Sequence, residues 1–136
     1  MTANISMQLL VRGSPTIRMN NVVDFYEIGR PYQLECVATG YPKSQVWWKW
    51  FPCQSPDDCS PTDDESDWIE VNNNNNSSLL TNSEIVFRSD GSEEYLSQMT
   101  LSVIANQTGA YSCYATNDNK TITRKQISFI VTGLFQ

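Results

Sequence analysis

The chain has 136 residues, of which 40% are hydrophobic, and it carries a formal net charge of −6 at pH 7. That length accommodates one domain, and this apolar content, with four tryptophans, is enough for a hydrophobic core, which argues against wholesale disorder. The acidic charge argues against nucleic-acid binding, because no basic patch is available to neutralise a phosphate backbone. The absence of histidine leaves no Ser-His-Asp or Cys-His catalytic arrangement.

The N-terminal part combines an apolar stretch with a turn signal. Residues 5–11 have the character of a β-strand, and the Gly-Ser-Pro sequence at 13–15 separates them from the rest of the chain. Two interpretations carry equal weight: residues 1–12 are the tail of a preceding domain or a linker, or they form a long first strand with a proline kink. After the turn, residues 16–18 and 22–26 are predicted to supply strands A and A′.

The next two strands follow from apolar alternation. Residues 32–38 alternate with period two and place Cys36 on their buried face, which predicts strand B. Residues 46–50 predict strand C, in which Trp48 faces inward, twelve positions after Cys36, and Trp47 faces outward. Two interpretations of Trp47 stay open: an exposed interface residue for a protein partner, or an aromatic buried beneath the loop after strand C.

Between residues 51 and 82 the alternation stops, and prolines, acidic residues and an asparagine run take its place. This composition predicts a long surface insertion with one short strand at residues 68–71. A Ca²⁺ site or a basic partner is one interpretation of the acidic residues, but they lack the spacing of a calcium-binding loop, which favours a solvated insertion without a metal. The acidic residues are Asp57, Asp58, Asp63, Asp64, Glu65 and Asp67.

The last strands come after the insertion. Residues 85–88 are predicted as strand D, and residues 96–103, which alternate again, as strand E. Residues 108–113 turn a corner and enter strand F. A final strand, G, is predicted to begin near residue 120 and to run to residue 131.

Four residues form a constellation that is typical of an immunoglobulin sandwich. Cys36 and Cys113 lie 77 positions apart and would bridge strands B and F, with Trp48 packed on the bridge. Tyr111, two positions before the second cysteine, would form a tyrosine corner by bonding to upstream backbone near the E–F turn. We therefore predict an all-β, immunoglobulin-like (I-set) β-sandwich with a core inter-sheet disulfide.

Several runs narrow this prediction to one family. The Gly-Tyr-Pro turn at 40–42, the Trp-x-Trp-x-Pro-Cys run that ends at Cys53, and residues 127–132 resemble the fifth immunoglobulin-like domain of the vascular endothelial growth factor receptors. These tyrosine kinases, related to the platelet-derived growth factor receptors, carry a row of such domains outside the membrane. Gln107 replaces the family's usual Asp, and residues 117–120 replace its F–G turn, which indicates a divergent member.

Four cysteines allow three disulfide pairings. Cys36–Cys113 with Cys53–Cys59 is favoured, because strands B and F face each other across the core and the other two cysteines are close in sequence. On the loop-entropy model, the Cys36–Cys113 disulfide would stabilise the folded chain by about 4.5 kcal/mol, because it closes a large loop. The Cys53–Cys59 disulfide, which closes a small loop, would contribute about 2.4 kcal/mol. A zinc site is disfavoured, since the chain has no Cys-x₂-Cys pair and no histidine.

Five Asn-x-Ser/Thr sequons and an even number of cysteines favour the secretory route. The chain nevertheless opens without the pattern of a signal peptide, and its apolar stretches near either end fall short of the roughly 20 residues that cross a bilayer. We therefore expect an internal piece of a longer secreted or membrane-anchored protein. Asn106 at the E–F corner and Asn119 in the F–G loop are the sequon asparagines with the best expected exposure. Asn75 and Asn76 are adjacent, so we do not expect both to be glycosylated. The fifth sequon begins at Asn4.

The resemblance implies a structural function and no catalysis. It implies an extracellular module of a growth-factor receptor tyrosine kinase that acts as a rigid spacer and as a receptor–receptor contact when a dimeric ligand bridges two chains. The expected partners are the same receptor chain and the flanking immunoglobulin domains, with no cofactor, no nucleic acid, and a membrane only through the parent protein. The alternative is an immunoglobulin module of a cell-adhesion protein or a secreted decoy. In both cases the domain spans residues 13–132, and residues 133–136 link it to a following module.

Overall fold

The computed structural model of the chain describes residues 13–73, 77–87, 90–118 and 121–133. They form two four-stranded sheets and a two-stranded parallel pair. This architecture is the predicted all-β, immunoglobulin-like sandwich. The strand predicted at residues 5–11 lies outside the described residues, and the predicted domain boundaries stay predictions.

The two large sheets each contain four strands. The first sheet has the order β1-β3-β7-β6 and the second the order β5-β4-β8-β9, while β2 and β10 form the parallel pair. All pairings within the two large sheets are antiparallel. The strands are β1 (Thr16–Asn20), β2 (Tyr26–Glu27), β3 (Pro31–Gly40), β4 (Gln45–Pro52), β5 (Ile69–Glu70), β6 (Ser77–Phe87), β7 (Glu93–Ile104), β8 (Gly109–Thr116), β9 (Thr123–Phe129) and β10 (Val131–Thr132).

Strand β6 corrects the prediction for strand D. It begins at Ser77, eight positions before the predicted start, and pairs with β7 along its whole length. Its first half contains several serine and asparagine residues, which are more frequent in turns than in strands. Local propensity therefore predicts a loop, but pairing with the long strand β7 makes this segment a strand.

The region predicted as strand A′ also differs from expectation. Only Tyr26 and Glu27 are in a strand, and they pair in parallel with Val131 and Thr132. Tyr26 is buried and its ring stacks on Phe129 with 4.1 Å between centroids. This contact closes the sandwich where the first strand region meets the last.

The core forms around the predicted inter-sheet disulfide. Cys36 and Cys113 are bonded with an S–S distance of 1.93 Å, and both are fully buried. Trp48 is fully buried, and its indole N–H donates to the carbonyl of Met99 on the opposite sheet at 3.2 Å. That bond satisfies the one polar group of a large apolar side chain, so Trp48 packs in the core without leaving an unpaired donor.

The E–F corner is held differently from the prediction. Tyr111 is buried against Trp50, with 4.4 Å between ring centroids, and desolvation raises the pKa of its hydroxyl. The predicted bond from this hydroxyl to upstream backbone is not found within the described residues. Thr108 holds the corner: its Oγ1 accepts from the N–H of Val131 at 2.9 Å. A Cβ at Gly109 would collide with the Trp50 ring, so this position requires glycine.

Within the described residues, the only helical segments are two 3-10 turns, Pro56–Asp58 and Glu65–Asp67. Neither is long or apolar enough to cross a membrane. Both lie in the predicted insertion, which therefore has local structure between strands β4 and β5.

Candidate interaction surface

The outward side of the second sheet carries an aromatic and charged surface. Alternation along β4 turns Trp47 and Lys49 outward, and Tyr114 lies opposite Trp47 on β8. The rings of Trp47 and Tyr114 stack almost in parallel, with 5.4 Å between centroids and 9° between planes. Trp47 is half-buried, whereas Tyr114 is buried.

The insertion between β4 and β5 folds back over part of this outward side. Its first residues are joined by the disulfide Cys53–Cys59, with an S–S distance of 1.99 Å. Trp68, near its end, is buried beside Phe51, with 5.3 Å between ring centroids, and its indole N–H donates to the carbonyl of Thr62 at 2.9 Å. Trp68 therefore packs the insertion on the sheet, while most other residues of the insertion are exposed to solvent.

Glu65 connects the insertion to the sheet. Its Oε1 lies 3.0 Å from the Nζ of Lys49, and its Oε2 accepts from the hydroxyl of Tyr114 at 3.1 Å. Partial desolvation works against ionisation, but the hydrogen bonds from Lys49 and Tyr114 together hold the pKa of Glu65 below its ordinary value. Burial, and to a lesser degree the bond to Glu65, raises the pKa of Tyr114 to about 12.

Arg124 completes this cluster from strand β9. Its guanidinium lies 4.7 Å from the ring centre of Trp68, a cation–π contact, and its Nε donates to the Oγ of Ser112 at 3.1 Å. Its Nη1 lies 3.8 Å from the carboxylate of Glu65. We call Lys49, Glu65, Trp68, Tyr114 and Arg124 the outer cluster.

Gln107 fixes the base of the insertion. Its side-chain amide donates to the carbonyl of Cys53 at 3.0 Å, and the N–H of Cys53 donates to the carbonyl of Thr108 at 2.9 Å. Gln107, which stands where the family usually has Asp, therefore joins the E–F corner to the disulfide loop. The length of the Gln side chain matters here, because the bond spans two separate loops.

The outward side has the properties of a protein-binding surface. Trp47 remains partly exposed, while its neighbours are held by the outer cluster and a disulfide. A large aromatic ring in rigid surroundings is a frequent anchor of protein interfaces, since little conformational entropy is lost on binding. Trp47 is half-buried and packs on Tyr114, so both interpretations of Trp47, as an interface residue and as an aromatic covered by the insertion, stay predictions.

The other predicted site residues are distributed over the molecule. All six acidic residues of the insertion are exposed, and the described part of the chain contains no group of three or more His, Cys, Asp or Glu suited to a metal ion. The sequon residue Asn106 is exposed at the E–F corner. The other sequons, at Asn4, Asn75, Asn76 and Asn119, lie outside the described residues, so their glycosylation stays a prediction.

Sequence reasoning missed most of the outer cluster. Strand alternation turns Lys49 outward, but composition places Glu65 in a solvated loop, and no motif marks Tyr114 or Arg124. The available signal was the pair of apolar residues Phe51 and Trp68 at the two ends of an otherwise polar insertion, because such residues tend to pack together.

Comparisons with known proteins agree with this geometry. A family profile for the fifth domain, described as "VEGFR-1-like, immunoglobulin-like domain", matches residues 13–133. No curated protein sequence matches the chain.

Solved structures show the fold. A complex of Dpr2 Ig1-Ig2 with DIP-Theta Ig1-Ig3 is 19% identical with a TM-score of 0.53, covering 89% of this chain and 33% of that one. Titin M4 is 15% identical with a TM-score of 0.51, covering 90% of this chain and 99% of that one. The tandem immunoglobulin repeats of Dlar are 12% identical with a TM-score of 0.51, covering 87% and 48%. The chain thus spans about a third of the Dpr2–DIP-Theta chain and nearly all of the titin domain.

The profile match extends over almost the whole chain and includes the disulfide loop at Cys53 and Cys59. The chain therefore belongs to the VEGFR-1-like family of fifth immunoglobulin-like domains.

Proposed function

We propose that this domain is an extracellular module of a growth-factor receptor tyrosine kinase, where it acts as a rigid spacer and as a receptor–receptor contact in ligand-induced dimerisation. Family membership supports the receptor context, and any kinase belongs to another part of the parent protein. The observation that carries the contact function is the half-buried Trp47, which stacks on Tyr114 next to the outer cluster.

Rigidity supports the spacer function. One disulfide joins the two sheets, a second closes the insertion, and Gln107 ties that insertion to the E–F corner. At the N-terminal end, the side-chain amide of Asn117 donates to the carbonyls of Gly13 and Tyr41, at 2.8 and 3.2 Å. This pair of bonds fixes the direction in which the chain enters the domain, as a spacer between domains requires.

Self-association of the chain tests the contact function. Analytical ultracentrifugation should show a reversible dimer, and Trp47→Ala should weaken it about tenfold, the effect of losing an aromatic anchor worth about 1.4 kcal/mol. Phe25→Ala is the matched control, because Phe25 is 63% exposed and lies away from this surface. A native chain that stays monomeric at its highest soluble concentration, or an equal effect of both substitutions, would contradict the proposal.

The rest of the parent sequence tests the receptor context separately. We expect a transmembrane segment followed by a kinase domain. A lipid-anchor signal or an early stop would indicate an adhesion or decoy protein with the same module.

A further inference from the structure

One opening of the sandwich leaves large aliphatic side chains uncovered. Ile69 on β5 pairs directly with Trp50 on β4, so its side chain lies on the side of the sheet that faces the other sheet. It is nevertheless 55% exposed, and Ile104, the last residue of β7, is 41% exposed. Inward residues of a sandwich are normally covered, so an apolar patch at this place indicates a group that covers it.

These residues line a groove of about 410 Å³ that opens between the two sheets, beside strand β5. We call it the edge groove. Its inner wall includes the aromatic rings of Trp50, Tyr111 and Phe129. Its volume falls within the range of about 300–1,000 Å³ that is usual for small-molecule sites.

The charge of the edge groove limits its occupant. Glu70 is the one charged residue of the lining within the described part of the chain, and it pairs with Lys49, which faces the outward side of the sheet. A metal ion would need several carboxylates, and an anion would need basic residues. The lining therefore fits an uncharged group that has both apolar and polar parts.

Asn106 belongs to the lining of the edge groove and is exposed. It begins the sequon Asn106-Gln107-Thr108, which is an acceptor sequence for N-glycosylation. On the secretory route, a bond forms between its Nδ2 and C1 of a glycan carried by a lipid diphosphate. The bond from C1 to the phosphate oxygen breaks, the lipid diphosphate leaves, and one amide proton is released. The first sugar is thereby attached at the groove itself.

The residues on both sides of Asn106 are held in place. Ala105 is fully buried, and its N–H donates to the carbonyl of Arg30 at 3.0 Å. The side-chain amide of Gln107 donates to the carbonyl of Cys53 at 3.0 Å. Because the backbone is anchored before and after Asn106, little conformational entropy is lost when an attached sugar settles against the groove.

The first sugar of an N-linked glycan, N-acetylglucosamine, matches the chemistry of this lining. It is uncharged, and the C–H faces of its ring and its acetyl methyl group can pack on aliphatic and aromatic side chains. Ile69, Ile104 and Trp50 present such a surface. The hydroxyl and amide groups of the sugar meet water at the open side of the groove and the polar residue Asn72 in its lining.

We propose that the edge groove holds the first N-acetylglucosamine of a glycan attached to Asn106, packed on Ile104 and Ile69. The covalent link gives the sugar a high effective concentration at the groove, so a contact too weak to capture a free sugar is still made. The sugar then removes apolar surface from water and stabilises the folded chain. This inference requires only that the sequon is used, and it does not depend on the proposed receptor function.

A chain with one sequon tests the proposal. The other four sequons are removed by Asn4→Gln, Asn75→Gln, Asn76→Gln and Asn119→Gln. This chain is secreted from cells that make high-mannose glycans, endoglycosidase H trims the glycan to one N-acetylglucosamine, and mass spectrometry measures occupancy. The same chain with Asn106→Gln is the glycan-free reference. The single sugar should raise the melting temperature by about 3 °C. Nuclear Overhauser contacts should join its acetyl methyl group to the methyl groups of Ile69 and Ile104.

Ile69→Ser separates packing in the groove from a general effect of the glycan on the unfolded chain. It should remove most of the gain in melting temperature, because it removes the apolar surface that the sugar covers. Ile122→Ser is the matched control: Ile122 is also 55% exposed, is not among the residues that line the groove, and should leave the gain unchanged. The proposal is overturned by an unoccupied Asn106, by a sugar that leaves the melting temperature unchanged or makes no Overhauser contact with Ile69 and Ile104, or by equal effects of the two substitutions on the gain.

Discussion

Glu65 shows how one carboxylate can fix a loop on a sheet. It bonds to Lys49 and Tyr114, which lie on two different strands, while its own backbone belongs to the insertion. Its side chain is half exposed, so solvent screens these interactions and each contributes little to global stability. Their main effect is local: they hold the insertion on strands β4 and β8.

Acidification should weaken this attachment. The pKa of Glu65 is lowered in the folded chain, so its stabilising contribution is present above the ordinary value of 4.5 and is lost as the pH falls below it through the folded value. We expect Glu65→Gln to lower the free energy of unfolding at pH 7 by less than about 1 kcal/mol. At pH 3 that difference should be smaller. Urea unfolding at both pH values measures it.

The control for this prediction is Asp63→Asn. Asp63 is an exposed carboxylate in the same insertion. Its substitution should leave the free energy of unfolding almost unchanged at both pH values. An effect of Glu65→Gln that does not change between pH 7 and pH 3 would show that its charge has no part in the attachment.

Gln107 makes a single directed contact that can be tested alone. Its amide donates to the carbonyl of Cys53, so Gln107→Ala should lower the free energy of unfolding by about 1 kcal/mol, the usual value of one hydrogen bond. Gln54→Ala, at an exposed position in the same loop, is the control and should have little effect. Equal effects of the two substitutions in urea unfolding would show that this bond does not stabilise the domain.

At the scale of elements, the alternation of apolar residues predicts the central strands of the sheets well and the edge strands poorly. Strands β3, β4 and β7 bury one side, so their apolar residues recur with period two and are visible in the sequence. The first half of β6 has a weaker pattern, because it is an edge strand whose residues Thr81 and Ser83 are polar and exposed.

The insertion could not be predicted for a different reason. Its acidic residues are exposed, as its composition indicates, but the position of Glu65 depends on the path of the whole segment over the sheet. The short disulfide loop is predictable from the cysteine spacing, but the path also depends on the packing of Trp68 beside Phe51, a tertiary contact that strand alternation does not encode. Predicted strands therefore located Trp47 and Lys49, but not the partners that surround them.

At the scale of the whole molecule, the two disulfides should have separable functions. Cys36–Cys113 closes a loop of 77 residues through the core, whereas Cys53–Cys59 spans six. Replacing Cys36 and Cys113 by Ala should cost about 4.5 kcal/mol, enough to unfold most of the chain at 37 °C, given the marginal stability of single domains.

Replacing Cys53 and Cys59 by Ser should cost less, about 2.4 kcal/mol, and should leave the sandwich folded. The insertion should then exchange its backbone amides faster, and the fluorescence of Trp68 should shift toward that of a solvated indole. Because Gln107 binds the carbonyl of Cys53, Gln107→Ala added to this double variant should have a smaller effect than in the native chain. Circular dichroism reports the fold, and hydrogen exchange reports the insertion. If removal of the short bridge also unfolded the sheets, the insertion would be an integral part of the core and not a segment attached to it.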